Sequence, residues 1–181
     1  LQLAFIKDKE ITNKLSRDVD EMEKMLNEYL QFSQSNFKEK NEKFDLSELI
    51  MSTVKKYENK NILVDQESEI FFSGRKNLIQ RCLNNLLDNA INFSNNIKIS
   101  QQKIKKYILI FIEDDGPGIP SSEYENVFKP FYKVDKSRNQ TKSSVGLGLS
   151  IASDIIRSHG GNIELRRSEM GGLKVKIFLP V

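Results

Sequence analysis

The chain has 181 residues, 38% of them hydrophobic and 29% charged, which is enough for one folded domain of ordinary size with an appendage. Its net charge of +3 is too small to indicate a nucleic-acid-binding protein, and no apolar run approaches the roughly 20 residues that span a bilayer. The single cysteine, Cys82, excludes an internal disulfide and indicates a reducing compartment.

The first predicted element is an amphipathic helix over residues 11–35. Its apolar residues recur at spacings of three and four, which gives a near-heptad seam opposite a charged face. They are Ile11, Leu15, Val19, Met22, Leu26 and Tyr29. An antiparallel, coiled-coil-like helical hairpin paired with a second copy of the chain would bury this seam. Residues 36–43 are polar and charged, which is typical of a linker.

The globular part of the chain is predicted to begin at Phe44 and to continue to the end. Asp45 can cap a first helix, and a longer helix is predicted over residues 76–92. The other predicted elements are strands at 62–64, 70–72, 97–100 and 107–113, a helix at 147–159, and strands at 162–167 and 173–179. This order indicates an α+β fold, a two-layer α/β sandwich with one mixed sheet and helices on one face.

Residues 114–120, which read Asp-Asp-Gly-Pro-Gly-Ile-Pro, follow a strand of β-branched and aromatic residues. Gly116 and Gly118 can take a positive φ and let a ligand approach the backbone, while Pro117 stiffens the turn. Alone, such a segment is more often a plain hairpin turn. Three further stretches accompany it here: an Asn-rich helix at 84–90, Phe-Lys-Pro-Phe at 128–131, and Gly-Leu-Gly-Leu at 146–149.

These four stretches, in this order, resemble the N, G1, F and G2 boxes of the sensor histidine kinase ATP-binding domain. That domain belongs to the gyrase, chaperone, histidine kinase and mismatch-repair ATPase superfamily, with its Bergerat-type fold. The resemblance covers the whole chain and implies three parts. Residues 1–35 would be the C-terminal part of the dimerisation and phosphotransfer hairpin, 36–43 the linker, and 44–181 the ATP-binding catalytic domain.

Two asparagines, Asn85 and Asn89, lie four residues apart on one face of the predicted helix. Helix interiors disfavour Asn, so two on one face suggest a ligand. Mg²⁺ prefers hard oxygen ligands and usually takes only one or two from protein. By the resemblance, Asn89 is the metal ligand, Asn85 supports the phosphate side and Phe93 packs against adenine. The family often has a basic residue before that aromatic, and this chain has Asn92 instead.

The resemblance assigns the base-reading end of the site to residues 114–120. Asp114 matches the acid that accepts a hydrogen bond from the amino group of adenine. Gly116 and Gly118 would shape the pocket floor and Ile119 would line it. The adjacent Asp115 is expected to face solvent.

The phosphate end is expected where the G2 box begins a helix. Gly146, Leu147 and Gly148 would present backbone N–H groups there, and these form an anion site at a helix start. Lys133 and Arg138 match basic positions of the lid that reach phosphate, and a lid cation could replace the basic residue missing beside the adenine ring.

The resemblance implies Mg²⁺-ATP binding and transfer of the γ-phosphoryl to a histidine of the dimerisation domain, for relay to an aspartate in a response-regulator receiver domain. The only histidine, His159, is predicted to end a helix as a structural residue. The resemblance places the acceptor on the first helix of the hairpin, upstream of Leu1, so the chain is not expected to autophosphorylate alone.

The expected partners are a receiver domain and a second copy through the hairpin, without nucleic acid. Membrane contact would come only through other segments of a protein in the bacterial inner membrane, with this domain in the cytoplasm. Two alternatives stay open: another ATPase or serine kinase of the superfamily, disfavoured by the heptad helix upstream, or a degenerate nucleotide-binding dimer scaffold. The latter is disfavoured because Asn89, Asp114, Gly146 and Gly148 are all present.

Overall fold

The computed structural model describes residues 11–13, 15–16, 19–20, 22–23, 26, 39–66, 69–134 and 146–181. Those before residue 39 are helical, and their apolar side chains Leu15, Val19, Met22 and Leu26 are exposed. The helical hairpin and the three-part division stay predictions. Among the helices of the described residues, none is both long and apolar enough to cross a membrane.

The described part of the globular region contains seven strands and three α-helices, which we number in chain order. The strands are β1 (Glu42–Asp45), β2 (Asn61–Gln66), β3 (Phe71–Gly74), β4 (Asn96–Ile104), β5 (Tyr107–Asp114), β6 (Asn162–Arg167) and β7 (Leu173–Pro180). The helices are α1 (Leu46–Val54), α2 (Lys76–Phe93) and α3 (Gly148–Arg157). Short 3-10 helices lie at Lys55–Tyr57, Ser121–Glu123 and Asn126–Phe128.

Five strands form the main sheet in the order β2-β4-β5-β7-β6. β2 is parallel to β4 and the other neighbours are antiparallel, so the sheet is mixed. Ile112 of β5 lies between Ile99 of β4 and Val175 of β7, and all three are buried in one core with α2 and α3. The predicted α/β sandwich is therefore confirmed.

One part of the predicted sheet is wrong. The strand expected at 70–72 is β3, which does not join the main sheet but pairs with β1 in a separate two-stranded antiparallel sheet. β1 was not predicted, because in its four residues Phe44 is the only buried side chain and no alternating pattern can be read. Glu42 and Lys43, assigned to the linker from sequence, lie in β1.

Side chains cap the first turns of both α1 and α2. Asp45 Oδ1 accepts from Ser47 N at 2.8 Å and caps α1, as predicted. At the start of α2, Arg75 gives no side-chain cap, and Glu39 takes that place by accepting from Asn77 N at 2.7 Å and from Leu78 N at 3.3 Å. A carboxylate from 38 residues upstream thus satisfies the first turn of α2.

His159 follows α3 and both of its ring nitrogens are engaged. Nδ1 lies 2.7 Å from Ile155 O, and Nε2 accepts from Arg75 N at 3.1 Å. These contacts fix the neutral tautomer with its proton on Nδ1. Burial lowers the pKa of His159, and the Arg75 guanidinium contributes to that shift. The structural role predicted for His159 is confirmed.

Candidate functional site

The first side of the candidate site is the contact between α2 and α3. Cys82 Sγ lies 3.8 Å from Ala152 O, and three residues further along α2 a Cβ placed on Gly148 would stand 3.6 Å from Asn85 O. The two helices therefore run antiparallel at this contact. Asn89 lies one turn beyond Asn85 on the same face of α2.

An unpaired donor is present at this contact. Asn85 Nδ2 is buried, and no hydrogen-bond acceptor for it is found in the described part of the chain. The start of α3 beside it has no side-chain cap at Leu147. Buried polar groups are nearly always paired, so this donor and the first-turn N–H groups together favour an anionic ligand. The side chain of Leu147 is buried in the core, so only its backbone can contribute.

The second side of the site is Asp114, the last residue of β5, which is 5% exposed. Its Oδ1 accepts from Gly116 N at 2.9 Å and from Leu173 N at 3.1 Å. Among the described residues, no hydrogen bond to Oδ2 is found. Burial raises the pKa of Asp114, even though the two backbone donors lower it. One carboxylate oxygen is thus fixed and the other is left for a donor.

The loop after Asp114 packs against the end of α2. A Cβ on Gly116 would stand 2.6 Å from Phe93 O, so only glycine fits there. Gly118 has a φ of +71°, which favours glycine, and Ile119 packs partly buried against the core. Phe93 is 43% exposed. The G1 loop is therefore in contact with the backbone at the end of α2.

Asp115 is partly exposed to solvent, and its carboxylate also contacts the protein. Its Oδ1 accepts from Asn95 N and Asn96 N, both at 2.9 Å. The hydrogen bonds from Asn96 lower the pKa of Asp115 most. Asp115 anchors the turn between α2 and β4.

The lid segment is described at its two ends only. Phe131 N donates to Gly146 O at 2.9 Å, and Gly146 has a φ of +79° with Phe131 and Tyr132 backbone atoms beside it. The residues that flank 135–145 are therefore held together. Lys133 is exposed, and Arg138 lies outside the described residues. The phosphate contacts expected of these two cations stay predictions.

Sequence reasoning missed a second segment that supports Asp114. Gly172, in the segment between the last two strands, donates from its N to Asp114 O at 3.1 Å. A Cβ there would stand 2.1 Å from Asp114 Oδ1. The adjacent Gly171-Gly172 pair was the one signal, and a glycine pair does not reveal which residue packs against it.

Comparison with known protein families identifies the family of this chain. Residues 74–181 match the family described as histidine kinase-, DNA gyrase B-, and HSP90-like ATPase. The chain belongs to this ATPase family.

Individual relatives narrow the assignment within the family. The chain is 31% identical over 187 residues to the sensor histidine kinase GtrS of Pseudomonas aeruginosa, covering 99% of this chain and 38% of that protein. It is 35% identical over 109 residues to the sensor histidine kinase CpxA of Escherichia coli, covering 60% of this chain and 24% of that one. The chain therefore spans well under half the length of these curated relatives.

A solved structure gives the same result. The nucleotide-free catalytic domain of the histidine kinase ThkA is 28% identical, with a TM-score of 0.69 over 78% of this chain and 95% of that domain. The chain is accordingly an ATP-binding catalytic domain of the sensor histidine kinase type.

The residues of this kinase domain fit a magnesium nucleotide. Asn85 offers an unpaired donor and the α3 start offers free N–H groups at one end, while Asp114 Oδ2 offers an acceptor at the other. Among the described residues, no cluster of three or more His, Cys, Asp or Glu could hold a metal by itself. A metal here would thus depend on phosphate oxygens and one amide, such as that of Asn89, which is how Mg²⁺ is usually bound with nucleotides.

Proposed function

We propose that this domain binds Mg²⁺-ATP along the C-terminal half of α2 and transfers the γ-phosphoryl to a histidine of a dimerisation domain, for relay to a response-regulator aspartate. The observation that carries the proposal is that an unpaired donor and the loop of Asp114 lie at opposite ends of this half of α2. Asn85 Nδ2 lies at one end and Phe93, beside the loop of Asp114, at the other. Eight residues of helix separate them by about 12 Å.

The base end would recognise adenine. Asp114 Oδ2 would accept from the exocyclic amino group, and an ionised carboxylate cannot pair with the carbonyl that guanine carries at that position. The exposed ring of Phe93 would stack on the base, while Gly116, Gly118 and Ile119 would form the floor of the pocket.

The phosphate end would be held by helix-start amides and by asparagines. The N–H groups of Gly148 and the following residues would bind phosphate oxygens, supported by the helix dipole. Asn85 Nδ2 would donate to the same phosphates, and Asn89 Oδ1 would coordinate the metal. Bound Mg²⁺ neutralises charge that develops on the phosphates during transfer. Lys133 and Arg138 would approach the phosphates from the lid.

The phosphoryl acceptor would lie outside the 181 residues. Their only histidine, His159, uses both ring nitrogens for structural contacts and is half-buried. A histidine on the dimerisation hairpin would serve instead, with residues 1–35 as the later part of that hairpin. The exposed apolar side chains of Leu15, Val19, Met22 and Leu26 support pairing of this segment with a second copy.

The names of the relatives support the wider assignment. GtrS and CpxA are sensor histidine kinases, so we assign the whole protein to two-component signal transduction with a response regulator as partner. The catalytic domain would work in the bacterial cytoplasm, where ATP is available, with other segments of the protein in the inner membrane.

Two experiments test the proposal. Calorimetry with ATP, with and without Mg²⁺, should show Mg²⁺-enhanced affinity that Asn89→Ala removes and that Asn77→Ala, an exposed asparagine on the same helix, retains. Equal Mg²⁺-ATP affinity in folded wild type and Asn89→Ala would refute the metal assignment.

The second experiment follows the phosphoryl group. With labelled ATP, the chain alone should remain unlabelled, whereas a histidine-containing hairpin added in trans should gain acid-labile label at a rate that depends on its concentration. Acid-labile label on the chain itself that His159→Gln removes would refute the assignment of the acceptor. ATP binding without transfer to any hairpin would instead favour the scaffold alternative.

A further inference from the structure

The turn between β6 and β7, residues 168–172, supports the base-reading acid from the far end of the sequence. Gly172 N donates to Asp114 O at 3.1 Å, and Leu173 N, the next residue, donates to Asp114 Oδ1 at 3.1 Å. One of the two backbone donors that orient the carboxylate therefore comes from a residue 59 positions downstream.

The 168–172 turn packs against the G1 loop without spare room. A Cβ on Gly172 would stand 2.1 Å from Asp114 Oδ1 and 2.5 Å from Gly116 N. Gly172 O in turn lies 3.2 Å from the position of a Cβ on Gly118. Because interiors are close-packed, a small displacement of this turn must displace the carboxylate or the loop.

Ser168 closes the turn. Its N donates to Gly172 O at 2.9 Å, and its hydroxyl accepts from Met170 N at 3.0 Å. The same hydroxyl donates to Glu113 Oε2 at 3.1 Å, and Ser168 is 4% exposed. A hydroxyl is the one small group that can both donate and accept in such a place.

Glu113 and Asp114 hold the turn from opposite faces of β5. Successive side chains of a strand point to opposite faces, so the carboxylate of Glu113 lies on the face away from the core. It also forms an ion pair with Lys174 at 3.1 Å. The turn is thus fixed by a hydroxyl contact on one face and by the Asp114 contacts on the other.

We propose that Ser168 is a positioning residue for base recognition: by closing the 168–172 turn on Glu113, it sets the orientation in which Asp114 Oδ2 meets the amino group of adenine. Ser168 itself would contact no nucleotide. The inference rests on the proposed role of Asp114, and it adds a specificity determinant that lies outside the four boxes of the family.

The test compares two buried serines. Ser168→Ala should lower ATP affinity on the order of tenfold and reduce the preference for ATP over GTP, because the carboxylate loses its fixed orientation. Ser168→Thr, which keeps a hydroxyl, should restore part of both. Ser47→Ala is the matched control: Ser47 is 8% exposed and its hydroxyl accepts from Ile70 N at 3.1 Å, so its loss should lower the melting temperature without changing either nucleotide property.

The pH dependence of ATP binding gives a readout that a purely structural role would not change. A weaker bond from Leu173 N removes one influence that lowers the pKa of Asp114, so the acid limb of ATP binding should move to higher pH in Ser168→Ala. The neighbouring carboxylate of Asp115 is the same in every variant. Ser47→Ala should leave the acid limb in place.

The possible outcomes distinguish a failure of the role of Ser168 from a failure of the base assignment of Asp114. Loss of affinity in Asp114→Asn together with wild-type affinity, base preference and acid limb in Ser168→Ala would refute the role of Ser168 alone. Unchanged binding in Asp114→Asn would refute the base assignment and the role of Ser168 with it. If Ser168→Ala does not fold, Glu113→Ala removes the acceptor of the hydroxyl from outside the core, and unchanged base preference there refutes the proposal.

Discussion

Asp114→Asn should shift base preference from adenine towards guanine, because two backbone donors fix the orientation of the new amide. Gly116 N and Leu173 N both point at Oδ1, so the amide oxygen must occupy that position and the NH₂ group must occupy the position of Oδ2. A donor then faces the donor of adenine, whereas the carbonyl of guanine would meet a suitable partner. Preference for ATP over GTP should therefore fall or reverse.

The expected size of this effect follows from the bond that is lost. A hydrogen bond to a charged group contributes about 1.5–3 kcal/mol, which corresponds to a loss of ATP affinity of roughly 10- to 150-fold. Competition with a fluorescent nucleotide at pH 7.5 measures ATP and GTP on the same sample. An ATP affinity within about twofold of wild type, with an unchanged ratio to GTP, would show that Asp114 does not read the base.

The same variant should not lose stability, which separates recognition from folding. Burial raises the pKa of Asp114 above its ordinary 3.8, so the folded chain disfavours the ionised form. In wild type, stability should fall as pH rises from 3.8 through the raised folded pKa, and at neutral pH the ionised group lowers stability. Asn has no charge, so unliganded Asp114→Asn should melt at or above the wild-type temperature.

Three further predictions concern the surroundings of the site. Gly116→Ala should reduce nucleotide affinity and stability together, by about 1–3 kcal/mol of unfolding free energy, because its Cβ would stand 2.6 Å from Phe93 O; an unchanged denaturation midpoint would contradict the packing. Glu39→Ala should lower the unfolding free energy by ~1 kcal/mol, because α2 loses its cap. Glu58 is exposed, so Glu58→Ala should leave the unfolding free energy unchanged. Urea titration of both variants measures the difference. His159 has a lowered pKa, so the stability it contributes should be lost as pH falls below its ordinary value of 6.5. The melting temperature of wild type should therefore decline between pH 7.5 and 5.5 more than that of His159→Gln. An equal decline in both would show that protonation of His159 is not the cause.

The sequence predicted those parts of the site that depend on local spacing. Asn85, Asn89 and Phe93 share a face because a helix brings residues four apart into line, and Asp114 ends a strand whose apolar run is plain. The order of the main elements followed from the same periodicities. The elements themselves were therefore foreseeable within a few residues.

The sequence did not predict contacts between distant segments. β1 pairs with β3 and Glu39 caps α2, yet neither contact leaves a pattern in the short stretch that makes it. Asp115 is held by Asn96, 19 residues earlier, and Gly172 meets Asp114 because β5 pairs with β7. Each of these depends on where the fold brings the backbone together, which composition and spacing do not encode.

Helix α2 also has a mechanical consequence for the domain. Its 18 residues form a hydrogen-bonded rod about 27 Å long, with Glu39 attached to its first turn and the carbonyl of Phe93 seated on the Gly116 loop at its last. The segment at Glu39 and the loop of Gly116 are therefore joined through one rigid element, at opposite ends of α2.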